Sequence, residues 1–231
     1  MNTNHKTRDT AGAPILAAAG MQFFGRMSAA ATHEIKNTLA IINENAGLLE
    51  DLTLMAEKGQ PLSTERVKDI SKRLAKQVHR ADLILKKLNR LSHSVDLTRE
   101  RVDLEKAVIF VLDLAGRLLE MQQVTVEITP PPSPVVVDTN LFYLQTGIWM
   151  AIDMACCCAD QEKQVNISFG TDSTIPSVWF SMGRADKDQK GDNMKALFES
   201  VEDQALLAYL GIVIEKNNKN NGFGLLWTKC G

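Results

Sequence analysis

The sequence has few of the features that mark nucleic-acid-binding or membrane-surface proteins. Its 231 residues carry 26 basic and 28 acidic side chains, which leaves a formal net charge of -2. This balance gives no net positive electrostatic potential that would attract nucleic acid or anionic lipid. At 45% hydrophobic residues, the chain is long enough to form one large or two small domains with a sizeable core.

Long apolar runs and patterned cysteines are also missing. A membrane-spanning helix needs about 20 predominantly apolar residues. The nearest candidate, residues 11–25, is interrupted by Pro14 and Gly20, so neither a membrane span nor a signal peptide is favoured. Three of the four cysteines are consecutive, which rules out a regular disulfide framework and gives no spaced metal-ligand set. We therefore expect a cytoplasmic chain without a metal site, and the role of Cys156–Cys158 stays open.

Two long helical patterns follow a polar tail. Residues 1–19 are predicted to be disordered, and residues 20–97 to form a hairpin in which apolar residues recur at steps of three and four. The Gly59–Pro61 run separates the two helices, and Ser63 offers an N-cap for the second. The predicted apolar stripes are Phe24, Ala31, Ile35, Leu39, Ile42, Ala46, Leu49 and Leu52 on the first helix, and Val67, Ile70, Leu74, Val78, Ala81, Leu85, Leu88, Leu91 and Val95 on the second.

A single hairpin cannot bury two such stripes by itself. The simplest arrangement that covers them is a second copy of the chain, which gives a four-helix bundle with two-fold symmetry. The sequence therefore predicts a homodimer.

Residues 102–231 predict a second domain, after a polar joint at residues 97–101. Helices are expected over residues 102–121 and, more deeply buried, over residues 141–158. Strands are expected near residues 124–129, 135–137, 165–169, 177–181, 211–215 and 223–228, with a turn at residues 216–221. This order predicts an α+β sandwich with helices on one face of a mostly antiparallel sheet.

The candidate chemistry lies at His33 on the first helix. His33 stands two residues from the core position Ile35, about 200° away around a helix, and so faces solvent. Asn37 lies one turn further along the same face, and Glu34 is adjacent. A neutral imidazole can attack phosphorus while Glu34 accepts its proton or fixes its tautomer and Asn37 orients a phosphoryl oxygen or a water. An isolated surface histidine usually has no such role, and His79 and His93 are interpreted in that way.

The segment His33–Asn37 resembles the H-box of histidine kinases, whose usual form is H-E-[ILF]-[KRN]-[NT]-P. Its place on the first helix of a hairpin is similar to that in the dimerisation and phosphotransfer domain of that family. The resemblance covers roughly residues 20–228, because the segments 102–104 and 135–141 follow the layout of the kinase ATP-binding domain. It implies a dimeric phosphotransfer protein that communicates with response-regulator receiver domains.

The chain departs from that family where the nucleotide would bind. Asp153 stands at the position of the Asn that helps hold Mg²⁺, and Ser181 at that of the Asp that reads adenine, with only Gly183 kept from that box. The glycine-rich phosphate loop is replaced by residues 205–210, whose side chains block close approach of a phosphate. Gly222 and Gly224 are interpreted as a turn rather than a substitute loop.

Two further positions complete the comparison with the family. Residues 197–199 resemble its F-box. Thr38 replaces its usual proline, so the helix after His33 should lack a kink. The departures together imply a degenerate ATP-binding domain, no bound cofactor, and Mg²⁺ that is supplied by the partner receiver.

Three functions remain open from the sequence. The first is a histidine phosphotransferase of a bacterial phosphorelay, in which His33 relays a phosphoryl group to and from receiver aspartates and a sensor kinase is a further partner. The second is an active sensor kinase with an atypical ATP site. The third is a non-catalytic scaffold, or a phosphatase that acts on a response regulator through Asn37.

Overall fold

The computed structural model describes residues 7–159, 163–170, 175–182, 198–217 and 221–228, with side chains from Gly12 onward. The sequence-based expectations for residues 1–6, Gly183, Leu197, Cys230 and the centre of the 216–221 turn lie outside these residues. The helices are α1 (Thr7–Glu57), α2 (Thr64–His93), α3 (Leu104–Gln122), α4 (Leu141–Cys158) and α5 (Val201–Leu210). The strands are β1 (Glu100–Asp103), β2 (Thr125–Ile128), β3 (Val136–Thr139), β4 (Gln164–Gly170), β5 (Ser177–Met182), β6 (Ile212–Asn217) and β7 (Gly222–Trp227).

The chain divides into two compact units. The hairpin unit comprises residues 27–92, and the sandwich unit comprises residues from His93 onward together with α1 up to Arg26. The first turns of α1 join the sandwich unit because they pack on α4, where the rings of Phe23 and Phe142 lie 6.0 Å apart. Gly20 permits this approach, since a Cβ atom there would lie 2.7 Å from the Phe142 ring. The hairpin unit therefore begins at Met27 and not at the predicted residue 20.

The disorder predicted for residues 1–19 is wrong from Thr7 onward, where α1 begins. Alanine has the highest helix propensity, and this stretch contains Ala11, Ala13 and residues 17–19 in addition to Pro14. Leu16 is buried, so packing stabilises the helix beyond its local propensity.

The hairpin unit has the predicted break and the predicted cap. α1 ends at Glu57, Gly59 adopts a positive φ of 87°, and the Ser63 hydroxyl accepts a hydrogen bond of 3.4 Å from the backbone N–H of Arg66. A glycine is required at that left-handed position because a side chain there would be strained.

Part of the predicted apolar stripes of α1 and α2 is exposed in the single chain. Phe24 and Leu39 are exposed, with Leu39 at 53%, whereas Phe23, Thr38 and Asn45 are buried. On α2, Val78 and Leu85 are likewise exposed in the single chain, at 58% and 48%. The apolar residues of these helices cover more than one face, so the 3.6-residue repeat alone could not select the side that packs within one chain.

The sandwich unit has the predicted mixed order of helices and strands. A five-stranded sheet has the order β2-β4-β5-β7-β6, and only its β2–β4 pair is parallel. α3 packs against α4, and α4 packs on β4 and β5. Alternate residues of β4 are buried, as expected for a strand with one covered face. The α+β sandwich is therefore confirmed.

Two local expectations in the sandwich unit are wrong. The polar joint contains β1, which pairs antiparallel with β3 and continues into the Asp103 N-cap of α3. Gly222 and Gly224 do not form a turn but belong to β7. They lie against β5, where a Cβ atom on Gly224 would come within 2.7 Å of the Trp179 ring. The glycines therefore permit close strand packing.

α4 is the one helix among the described residues that is long and apolar enough to cross a membrane by length and composition. Its apolar window is 61% buried within the protein. A core helix of a folded domain passes the same test.

Gly222→Ala should destabilise the sandwich unit. The new Cβ atom would overlap the backbone carbonyl oxygen of Phe180, which cannot move without disturbing the β5–β7 pairing. We expect a loss of about 1–3 kcal/mol in the free energy of unfolding, measured by chemical denaturation.

Gly116→Ala in α3 is the matched control, because no neighbouring atom lies within 4 Å of the position that its Cβ atom would take. It should raise the free energy of unfolding by about 0.5–1 kcal/mol, since alanine favours helix more than glycine does. Equal stabilities for the two variants would contradict the close packing at Gly222.

Candidate functional site

His33 lies on the exposed face of α1, as predicted. Ile35 is half-buried within the hairpin unit, while His33 and Asn37 are both exposed. The Nδ2 atom of Asn37 lies 3.3 Å from the Nδ1 atom of His33, across one helical turn. The structure therefore brings together two of the three predicted site residues through a direct contact.

This contact engages Nδ1 and leaves Nε2 without a described partner. The Asn37 Nδ2 group faces Nδ1 and donates to it, which places the ring N–H on Nε2. With the amide turned so that its oxygen faces the ring, the Nδ1–H group of His33 donates to that oxygen and the lone pair lies on Nε2. Nε2 is then the nitrogen available to a reacting group outside the helix.

Glu34 makes a different contact from the one expected. Adjacent residues of a helix do not share a face, and the Glu34 carboxylate turns toward α2. Its Oε1 atom accepts hydrogen bonds from Arg80 at 2.8 Å from Nη2 and 3.2 Å from Nε. The described hydrogen-bond partner of the His33 ring is Asn37, so the role expected for Glu34 in fixing the tautomer stays a prediction.

Nothing in the sequence singles out Arg80. It is one of many basic residues on α2 and resembles no motif position. The only available signal would have been the antiparallel pairing of the two helices. In such a pair, the sequence numbers of two residues that face each other add up to a roughly constant value.

Thr38 fits the helix at the position where the resembling family has proline. Its side chain is buried, and its hydroxyl donates a 2.9 Å hydrogen bond to the Glu34 carbonyl. α1 runs without interruption from Thr7 to Glu57. Threonine keeps its backbone N–H, so the helix next to His33 stays continuous.

In the sandwich unit, Asp153 is fully engaged by neighbouring side chains. Its Oδ2 atom accepts a 2.8 Å hydrogen bond from Arg26 Nη1, and its Oδ1 atom accepts one of 3.2 Å from Gln122 Nε2. A guanidinium and an amide thus satisfy both carboxylate oxygens. A cation at this position would first have to displace Arg26.

The neighbouring segment is a helix rather than a glycine-rich loop. α5 begins at the Ser200 N-cap and ends at Gly211, which has a φ of 68°. Leu206 and Leu210 are buried, and a Cβ atom on Gly147 of α4 would lie 3.0 Å from Leu210 Cδ1. Side chains therefore fill the space between α4 and this part of α5, as the sequence predicts.

An open cleft of about 620 Å³ remains beside the N-terminal end of α5. Its lining includes Arg26, Asp153, Glu202, Asp203 and Trp149. Among the described residues, this lining contains three carboxylates and one guanidinium, and the guanidinium is paired with Asp153.

The other expected nucleotide contacts are also changed. The hydroxyl of Ser181, in β5, lies 3.5 Å from the carbonyl oxygen of Asn166 in the adjacent strand. Phe198 is buried, with its ring centroid 5.2 Å from that of Phe223. Phe198 therefore serves the core of the sandwich unit.

The consecutive cysteines are free thiols with different surroundings. Cys156 is buried, and burial, followed by the nearby Asp153 charge, raises the pKa of its thiol to about 12. Cys157 is exposed and lines the cleft, and partial burial raises the pKa of its thiol as well. Within the described ranges, no group of three or more His, Cys, Asp or Glu side chains could hold a metal ion.

Similarity to known proteins was found among solved structures. No protein-family model and no curated protein matches the chain. The Acinetobacter baumannii histidine kinase AdeS is 16% identical with a TM-score of 0.41, over 84% of this chain and 96% of that one. The cytoplasmic segment of histidine kinase QseC is 11% identical with a TM-score of 0.43, over 66% and 95%. A nucleotide-free catalytic domain of histidine kinase ThkA is 13% identical with a TM-score of 0.42, over 56% and 94%.

All three neighbours are histidine kinases or parts of them, and all three TM-scores lie below 0.5. The chemistry at His33 has to be argued from the residues of this chain.

Proposed function

We propose that the protein is a cytoplasmic histidine phosphotransferase of a two-component phosphorelay. His33 accepts a phosphoryl group from a receiver aspartate and returns it to another. The observation that carries this proposal is the exposed His33 ring, whose Nδ1 atom is 3.3 Å from the Asn37 amide and whose Nε2 atom is left for reaction.

The transfer step needs only groups that the two proteins supply. The Nε2 lone pair of His33 forms a bond to phosphorus, the P–O bond to the receiver aspartate breaks, and the electron pair leaves with the carboxylate. The step uses the tautomer with its proton on Nδ1, and the Asn37 amide turns so that its oxygen accepts the hydrogen bond from that N–H group, so the product is a phosphoimidazolium. The reverse step regenerates a neutral imidazole, which suits a relay that works in both directions. The Mg²⁺ that such chemistry uses comes with the receiver in this proposal.

The sandwich unit supports a phosphotransferase over a kinase. Arg26 and Gln122 occupy both oxygens of Asp153, leucine side chains of α5 fill the space next to α4, and the open cleft is acidic. Each feature opposes binding of Mg²⁺-ATP. The proposal therefore includes loss of the nucleotide site and of autophosphorylation.

The surface of the hairpin supports a homodimer. A single hairpin leaves large apolar side chains in water, and a second copy would cover them as a four-helix bundle. The exposed large apolar residues of the hairpin unit are Leu39, Ile41, Leu48, Leu54, Met55, Leu62, Val78, Leu83 and Leu85.

His33→Ala should abolish phosphotransfer. The wild-type protein, mixed with a panel of receiver domains labelled by radioactive acetyl phosphate, is expected to become labelled and to label a second receiver. The variant should do neither, because it lacks the Nε2 nucleophile. The measurement is radiolabel on each protein after gel separation.

His79→Ala is the matched control, because His79 is also exposed on a helix of the hairpin unit. It should transfer as the wild type does. Transfer that survives His33→Ala would remove the proposal. Receiver binding or dephosphorylation without any labelled histidine would favour the scaffold or phosphatase function instead.

Mg²⁺-ATP should not bind in the cleft of the sandwich unit. We expect a dissociation constant of about 1 mM or weaker by isothermal titration calorimetry. Alkylation of Cys157, which lines the cleft, should proceed at the same rate with Mg²⁺-ATP as with salt of equal ionic strength. Micromolar binding together with protection of Cys157 would instead support a sensor kinase with an atypical site.

A further inference from the structure

Arg80 holds the carboxylate next to His33 from the opposite helix. Its Nη2 and Nε groups both donate to the Oε1 atom of Glu34, at 2.8 and 3.2 Å. The side chain of Glu34 is 28% exposed and that of Arg80 is 55% exposed. The pair therefore lies at the surface of the hairpin unit, within reach of solvent and of a docking protein.

This pairing matters because of the charge that His33 would carry. A phosphoryl group adds roughly two negative charges near neutral pH. Glu34 is the next residue along the helix, and an unpaired carboxylate at that distance repels the incoming group. A guanidinium bound to the carboxylate offsets its charge and keeps it directed toward α2.

We propose that Arg80 is a positioning residue for phosphoryl transfer, acting through Glu34. This inference rests on His33 being the phosphorylated residue. Arg80 neutralises Glu34, holds it clear of the space in front of the His33 ring, and so lets a dianionic group approach Nε2.

The test uses the full-length protein and phosphoramidate, a small donor that needs no receiver. Nε2 of His33 forms a bond to phosphorus, the P–N bond of the donor breaks, and ammonia leaves. The rate of phosphohistidine formation is measured by intact-protein mass spectrometry of samples in which the reaction is stopped at alkaline pH. For Arg80→Gln at low ionic strength we expect a rate about one and a half- to fivefold lower than wild type, the range for an exposed charge pair.

Three comparisons separate this role from a merely structural one. The deficit of Arg80→Gln should shrink as salt is raised, because exposed charges are screened. Arg80→Lys should stay close to wild type, since it keeps the positive charge. In a Glu34→Gln background, adding Arg80→Gln should change the rate little, because no carboxylate remains to be neutralised.

Lys76→Gln is the matched control, an exposed cation one turn away on the same helix. It should leave the rate unchanged, and thermal unfolding should show that every variant is folded. Three results would each overturn the inference. The first is an Arg80→Gln rate equal to that of wild type, and the second is a deficit that does not change with salt concentration. The third is an equal effect of Arg80→Gln with and without Glu34. Loss of labelling in His33→Ala alongside an unaffected Arg80→Gln would leave the proposed function standing, whereas labelling that persists in His33→Ala would remove that function.

Discussion

The helical repeat of α1 is the constraint on which the candidate site depends. A four-residue step places Asn37 against the His33 ring on the outside of the hairpin unit. The one-residue step to Glu34 turns that carboxylate toward α2, where Arg80 binds it. The same repeat puts Thr38 inside, where its hydroxyl bonds to the Glu34 carbonyl without interrupting the helix. One continuous helix thus directs the His33 ring outward and the Glu34 carboxylate toward α2.

The proposed loss of the nucleotide site rests on side chains of the sandwich unit itself. Asp153 stands where a metal ligand would be expected, yet Arg26 and Gln122 use both of its oxygens. The Arg26 contact depends on the first turns of α1 packing on α4, which Gly20 permits. The first turns of α1, which the sequence predicts to be a disordered tail, therefore help to place Arg26 on Asp153.

The sequence was informative where a pattern had a single solution. The α4 limits, the alternation of β4 and the outward direction of His33 all followed from periodicity or burial of one clear face. It was ambiguous where apolar residues cover several faces, so it did not separate the residues of α1 that are buried within one chain from exposed ones such as Phe24 and Leu39. Contacts between segments far apart in the chain left no local signal. Arg80 on Glu34, Arg26 on Asp153 and the close packing of Gly222 against Phe180 could be recognised only in three dimensions.

In the proposed relay, Nε2 of His33 is the nucleophile. Heteronuclear NMR of the protein with nitrogen-15 histidine, after phosphorylation by a receiver, measures which nitrogen is bonded to phosphorus. We expect a phosphoryl group on Nε2 of His33 and a proton retained on Nδ1. A phosphoryl group on Nδ1, or on another residue, would contradict it.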